Sequence, residues 1–232
     1  TINGVLGRLD EQNLRQRQFV ADASHELKSP LANARAIIDT ATVQPDADEF
    51  ARVTTAVGSE LNRLRALVDD LLFLAQADEG AHRSVQAIDL GDLVFDEAER
   101  VGATSQKRID ASGVIPVLVM VEPSEAARAI RNLLENAERF ASKRVTIDVT
   151  ETETVATVVI SDDGPGIPVA DRDTVFERFG RIDTDRGRAA GGTGLGLSIV
   201  ASIATANGGT VVLADGASGG AEFSLSFPIS VS

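Results

Sequence analysis

The chain has no cysteine, no tryptophan and no tyrosine, and a single methionine among 232 residues. Without cysteine there can be no disulfide framework, no thiolate nucleophile and no cysteine metal site. That suits a reducing compartment. Phenylalanine is the only aromatic type, at nine copies, so any core must be packed from Leu, Val, Ile and Ala. Bases are in deficit, 22 against 35 acids, for a formal net charge of -13. This opposes nucleic-acid binding, where affinity comes from Lys and Arg releasing counterions from phosphates. No run of about 18 apolar residues is present, so no segment is expected to cross a membrane as a helix. Histidine is scarce as well: His25 and His82 are the two copies.

What is present is enough for a sizeable core, since 43% of residues are apolar. The length accommodates one large domain or two small ones. A chain that opens at Thr1 rather than at methionine is expected to be a piece of a longer protein.

Periodicity divides the chain. From Leu9 to Thr42, Val20, Ala23, Leu27, Leu31, Ala34, Ile38 and Ala41 recur in steps of three and four, the mark of an amphipathic helix. After VQPDAD at 43–48, a second helix carries Val53, Val57, Leu61, Leu64, Val68, Leu71 and Ala75 in the same rhythm. Two such helices joined by a short polar turn form a hairpin. A lone hairpin leaves apolar surface wet, so pairing of two chains into a four-helix bundle is expected. From about Gln86 the pattern mixes elements. LGDLVFDEAERV reads as a helix, VIPVLVMV as a buried strand and SEAARAIRNLLENAERFA as a helix. RVTIDVTE and TVATVVISDD follow as adjacent strands. After an irregular stretch rich in Gly, Pro and Arg, LGLSIVASIATANG reads as a helix ended by Gly208, and TVVLADG and AEFSLSFPI as a last strand pair. This order predicts an α/β sandwich, with helices on one face of a mixed sheet, rather than a doubly wound parallel fold.

SHELKSPL places His25 beside Glu26, with Pro30 about one turn on. His25 is about 200° around the helix from Leu27, so it points away from the apolar stripe. It is either a plain surface histidine or a group presented to a partner. Three further stretches bear on that choice. In NLLENA, Asn132 and Asn136 share one helical face. Their amide oxygens suit Mg²⁺, which takes few protein ligands, although paired asparagines on a helix are also common surface or capping residues. SDDGPGI ends a strand with Asp162, beside a backbone that Gly164 and Gly166 keep open to a flat ring. A carboxylate there can accept from an exocyclic amine such as that of adenine, while DDGPG is also turn chemistry in its own right. GGTGLGLSIV runs its glycines straight into a helix, offering free N–H groups to phosphates. A dinucleotide fingerprint would need a preceding strand, and a loop stands there instead.

Taken together, these stretches resemble the catalytic core of a sensor histidine kinase of a two-component system. FVADASHELKSPLA is similar to its H box, RNLLENAERF to its N box, DDGPGI to its first glycine box, VFERFGRID to its F box and GGTGLGLSIV to its second glycine box. INGVLGRLDEQ is similar to the last helix of a HAMP linker. The resemblance implies the end of a HAMP-like helix at 1–14, a dimerisation and histidine phosphotransfer domain at 15–80, a linker at 81–88 and a Bergerat-type ATP-binding domain at 89–232. It implies ATP and Mg²⁺ as cofactors, a homodimer, and a cognate response regulator as partner. It also implies that the parent protein is a cell-membrane receptor of which this is the cytoplasmic part.

Carried over residue by residue, the resemblance makes His25 the phosphoryl acceptor and Glu26 the base that takes the proton from its other ring nitrogen. Asn136 becomes the Mg²⁺ ligand, supported by Asn132. Arg139 lies near the phosphates, Phe140 lines the base, and Arg181 reaches the γ-phosphate. Asp162, Gly164, Gly166 and Ile167 hold the base, and Gly192, Thr193, Gly194, Leu195, Gly196 and Leu197 hold the phosphates. Ser29 stands where many relatives have threonine, in the segment tied to dephosphorylating the regulator, and a weakened phosphatase is expected. Gly180 replaces a frequent aromatic and is expected to loosen the packing of the lid TDRGRAAGG. Two other readings are a scaffold that binds nucleotide without transfer and a Bergerat-type ATPase without phosphotransfer. The retained histidine, asparagines and glycines oppose the first. The His-Glu helical hairpin opposes the second.

Overall fold

The computed structural model describes residues 2–41, 46–78, 84–180 and 193–229, with side chains described from residue 18 onward. The chain divides into two compact units, Thr1–Ala75 and Gln76–Ser232.

The first unit is built on helix α1, Ile2–Thr40, and helix α2, Ala47–Asp78. Residues 2–14, expected to end a HAMP-like helix, belong to α1. Residues 43–45 of the turn expected at 43–48 lie outside the described residues, but its end sets up α2: the Glu49 amide donates to Oδ1 of Asp46 at 2.7 Å. Asp48 and Glu49 add acid to the first turn, where the helix dipole favours it. Pro30 sits inside α1 without ending it. It supplies no N–H to the carbonyl four residues back, and its ring is buried.

The apolar positions of the hairpin form two seams rather than the single stripe that spacing predicts. Ala23, Ala34, Leu67 and Leu74 are buried within the chain. Val20, Leu31 and Ile38 on α1, and Phe50, Leu61, Val68 and Leu72 on α2, remain exposed, Leu31 by 61%. Both seams run at helical spacing and interleave, so periodicity alone merges them.

The second unit is an α/β sandwich. A five-stranded sheet has the order β2-β4-β5-β7-β6, built from Arg108–Gly113, Arg144–Glu151, Val155–Asp162, Ala221–Pro228 and Thr210–Asp215 respectively. β2 runs parallel to β4 and the remaining pairings are antiparallel, so the sheet is mixed as expected. Val145, Ile147, Ala156, Val158, Ile160, Phe223, Leu225 and Phe227 alternate onto one buried face. Against it lie α3, Leu90–Gly102, α4, Pro123–Phe140, and α5, Gly196–Ala206. Gly208 follows α5 with φ of 69°, the left-handed conformation that ends a helix.

The region before α4 differs from the sequence expectation. VIPVLVMV is not a wholly buried strand: Pro116 interrupts it, and only β3, Leu118–Val121, is extended, with alternate residues exposed. β3 pairs with β1, Gln86–Asp89, in a separate two-stranded sheet. Residues 86–88, read as the end of a linker, therefore belong to a strand.

α4 is held by named polar contacts. Glu122 caps its start by accepting from the Glu125 amide at 2.7 Å, and Pro123 occupies the first turn. In its middle, Arg131 grips Glu97 of α3 through Nε and Nη2 at 2.8 and 2.7 Å. Glu97 is only 3% exposed, so an uncompensated charge there would be costly. Arg131→Met is expected to destabilise the unit by about 2–3 kcal/mol in denaturant unfolding, because it leaves the buried carboxylate with only the longer 3.6 Å pairing to the largely exposed Arg100. The pair Glu97→Leu with Arg131→Met should recover most of that loss.

Candidate functional site

In the helical unit, His25 and Ser29 are exposed on α1 and Glu26 is half-buried beside them. The backbone around them is regular helix, and the Ser24 hydroxyl donates to the Val20 carbonyl at 2.8 Å. The imidazole is thus presented from a rigid element.

In the sandwich unit, the expected residues gather at the ends of β5, α4 and α5. Asp162 closes β5 and is only 3% exposed. Its Oδ1 accepts from the Gly164 amide at 2.7 Å. Burial pushes its carboxyl above the usual range, opposed by the amides of Gly164 and Ala221. Gly164 is required, because a Cβ there would stand 2.3 Å from the Phe140 carbonyl and 2.7 Å from Oδ1 of Asp162. The constraint is thus internal packing, rather than only an open approach for a flat ring. Gly166 has φ of 71°, a conformation that glycine adopts without strain.

The neighbouring Asp163 does something different. Its Oδ1 accepts from the amides of Ser142, Lys143 and Arg144 at 2.7, 2.9 and 3.1 Å. The Lys143 and Arg144 amides hold this carboxyl below the usual range. Asp163 therefore ties the α4–β4 connection to the end of β5, and one DD pair divides into a tether and a buried acceptor.

α4 brings Asn132 and Asn136 to one face, both half-buried, with Arg139 exposed and Phe140 at its end. Asn132 Nδ2 donates to the Gly196 carbonyl at 3.2 Å, joining α4 to the start of α5. At that start, the Leu195 amide donates to Thr193 Oγ1 at 3.4 Å, and no side chain caps the helix among the described residues. Its first-turn N–H groups carry the positive end of the helix dipole. Leu195 is fully buried, whereas Leu197 is half-buried. Gly194 has φ of 74°, and a Cβ on it would come within 2.9 Å of Phe179 Cα. At Gly180 a Cβ would stand 2.1 Å from the Thr174 carbonyl, so the backbone leaves no room there for a side chain. Arg181, Gly192 and the lid at 184–192 lie outside the described residues.

Several residues in this neighbourhood carry no sequence signal. Lys107 Nζ donates to the Glu138 carbonyl and, at 3.2 Å, to that of Arg139, closing the C-terminal end of α4. Ser105 Oγ donates to Glu138 Oε1 at 2.9 Å. Gly220 abuts Asp162, since a Cβ there would lie 2.2 Å from the Asp162 carbonyl oxygen. These contacts span 30 residues or more of sequence, and local pattern does not encode them.

The comparisons with known proteins fit this geometry. Residues 15–80 match the His Kinase A (phospho-acceptor) domain, and 122–231 match the histidine kinase-, DNA gyrase B-, and HSP90-like ATPase. The chain therefore belongs to the histidine kinases, whose phospho-acceptor and ATPase domains it carries in that order. It is 40% identical over 223 residues to the probable sensor histidine kinase TcrY of Mycobacterium tuberculosis, covering 92% of this chain and 46% of that protein. It is 36% identical over 231 residues to the histidine-protein kinase/phosphatase MprB of Mycobacterium sp. (strain KMS), covering 94% of this chain and 44% of that one. The chain thus spans about half the length of the curated relatives it matches. Among solved structures, the Acinetobacter baumannii histidine kinase AdeS has a similar fold, with a TM-score of 0.68 at 21% identity over 89% of this chain and 98% of that one. Full-length ShkA in complex with AMPPNP gives 0.66 at 25% identity over 93% of this chain and 46% of that one.

The two aspartates should respond oppositely to mutation. Asp162 has a raised folded-state pKa, so its contribution to stability is present below the unfolded carboxylate range and lost as pH rises through the folded value. Near neutral pH the ionised group therefore costs stability, and Asp162→Asn should raise the Tm of the nucleotide-free protein. Asp163 has a lowered pKa, so its contribution is present above the unfolded range and lost as pH falls through the folded value. Asp163→Asn should lower Tm at pH 7 and matter progressively less in acid. Thermal melts of both variants across pH check the two signs.

Proposed function

We infer that this chain transfers the γ-phosphoryl group of ATP to His25 and passes it to an aspartate of a response regulator. The observation that carries this reading is the convergence of three groups in one unit: a buried Asp162, the Asn132 and Asn136 face of α4, and the uncapped start of α5. Asp162 accepts from the exocyclic amine of adenine, with Gly164, Gly166 and Ile167 shaping the loop around the base and Phe140 along its edge. The start of α5, with Thr193, Gly194, Leu195, Gly196 and Leu197, takes phosphate oxygens on its amides. Arg139 adds positive charge beside them.

Mg²⁺ fits this site through Asn136, whose half-buried amide lies one turn from Asn132. When bound, the ion supplies charge neutralisation for the phosphates. On the acceptor side, one imidazole nitrogen of His25 attacks phosphorus and the bond to ADP breaks, with ADP leaving on the electron pair. Glu26 takes the proton from the other nitrogen. Positioning supplies most of the acceleration.

The exposed seam of Val20, Leu31, Ile38, Leu61 and Val68 is where a second copy packs, closing a four-helix bundle. We read 15–80 as the phosphotransfer and dimerisation domain and 89–232 as the ATP-binding domain. No helix among the described residues is long and apolar enough to cross a membrane, and we take the chain as the cytoplasmic part of a membrane-anchored sensor. MprB is named a kinase and phosphatase, and Ser29 offers a hydroxyl four residues after the histidine for the reverse reaction.

Incubation with γ-labelled ATP and Mg²⁺ tests the acceptor. Label should enter the parent chain, survive base and be lost in acid. His25→Gln should abolish labelling while ATP binding stays within about twofold of the parent. A labelled His25→Gln chain would remove His25 from the reading. Asn136→Asp should lose Mg²⁺-dependent labelling with the fold intact. Light scattering should report two chains per particle at micromolar concentration, and Leu61→Glu, which puts a charge on the exposed seam, should shift this to one.

A further inference from the structure

Arg172 belongs to none of the motifs that carry the reading above, yet its side chain is only 20% exposed. Its Nε donates to the Ile167 carbonyl at 3.1 Å, and its Nη2 pairs with the Asp215 carboxylate. Ile167 ends the loop that begins at Asp162, and Asp215 ends β6. The turn that follows β6 lies against that same loop. A Cβ on Gly166 would stand 3.2 Å from the Gly219 carbonyl oxygen, and one on Gly220 would stand 2.4 Å from Oδ1 of Asp162. The Asp162–Ile167 loop is therefore seated on the β6–β7 turn, and Arg172 bonds to both at once.

The start of the loop is held by the Gly164 amide on Asp162 and by Asp163 on the amides of 142–144, and Arg172 takes hold at its far end. Two of the residues between Asp162 and Ile167 are glycines, one at positive φ, and glycine gives up the most conformational freedom on ordering. An external clamp supplies what the loop lacks. Guanidinium suits that role, since its planar fork of donors engages a carbonyl and a carboxylate in fixed directions, which an ammonium on a flexible stem does not reproduce.

We propose that Arg172, together with Asp215, is a positioning residue for nucleotide binding that holds the Asp162–Ile167 loop on the β6–β7 turn in the shape that receives the base. This rests on the reading of Asp162 as the base contact. Arg172 reaches no reacting atom, so its loss acts on binding and leaves the transfer step alone.

The test compares the full parent chain with Arg172→Met, Arg172→Lys and Asp162→Asn, measuring the Kd for ADP by calorimetry and KM and kcat for ATP by labelling. Arg172→Met should raise Kd and KM together by about five- to tenfold, the loss of charge-assisted bonds at a partly exposed site. Its kcat at saturating ATP should stay within about twofold. Arg172→Lys keeps the charge but not the fork, and should recover part of the affinity. Parent-like ADP binding by Arg172→Met overturns the proposal, as does a fall in kcat at unchanged KM. So does a lysine variant no better than methionine with an equally lowered Tm, which would mark a role in folding alone. Asp162→Asn separates the two readings. If it loses ADP while Arg172→Met does not, only the positioning role fails, and if it binds ADP like the parent, the base-contact reading fails with it.

Discussion

Burying a carboxylate at the end of a strand costs free energy unless neighbours satisfy it, and the sandwich unit is arranged around that demand at Asp162. Amides of Gly164 and Ala221 point at the carboxyl, yet burial still dominates its protonation. The satisfaction is geometric as well as electrostatic. Gly164 and Gly220 approach so closely that neither position has room for a methyl group. The β5 terminus, the loop after it and the β6–β7 turn are therefore one packed object. A buried acceptor held this way is pre-organised for a donor that arrives without water, at the expense of resting stability.

The helical unit meets a different demand with simpler means. Its inner seam, with Ala23, Ala34, Leu67 and Leu74, closes the hairpin within one chain. The outer seam is apolar but wet in a single chain. His25 occupies neither, which leaves the imidazole accessible while both seams are engaged.

Much of this was legible in the sequence. The hairpin, the mixed sheet and the placement of Asp162, Asn132 and Asn136 followed from periodicity and from the glycine-rich stretches, because those signals are local. Other features depended on contacts between distant segments. β2 was missed because RIDASG is polar and short, and it becomes a strand by pairing with β4. The two hairpin seams merged because their periods coincide. The distinct duties of Asp162 and Asp163 were hidden, since two adjacent aspartates look alike until one side chain turns inward and the other reaches the amides of 142–144. The tight fit of Gly180 against the Thr174 carbonyl was not legible either, because it depends on how the backbone turns between them. Lys107 and Arg172 bind carbonyl groups, which any residue could supply, so no pattern announces them.

The fastening of α4 has a mechanical consequence. Its first turn is capped by Glu122, its middle is locked to α3 through Glu97 and Arg131, and its last carbonyls are tied down by Lys107. A rod fixed at both ends and at its waist neither slides nor rolls, so α4 serves as the stator of this unit. Its link to the start of α5 is of another kind: beside apolar packing, Asn132 donates to the Gly196 carbonyl. The charged and capping contacts of α4 are thus concentrated along its own length and on α3, while the start of α5 is reached through an amide and apolar side chains.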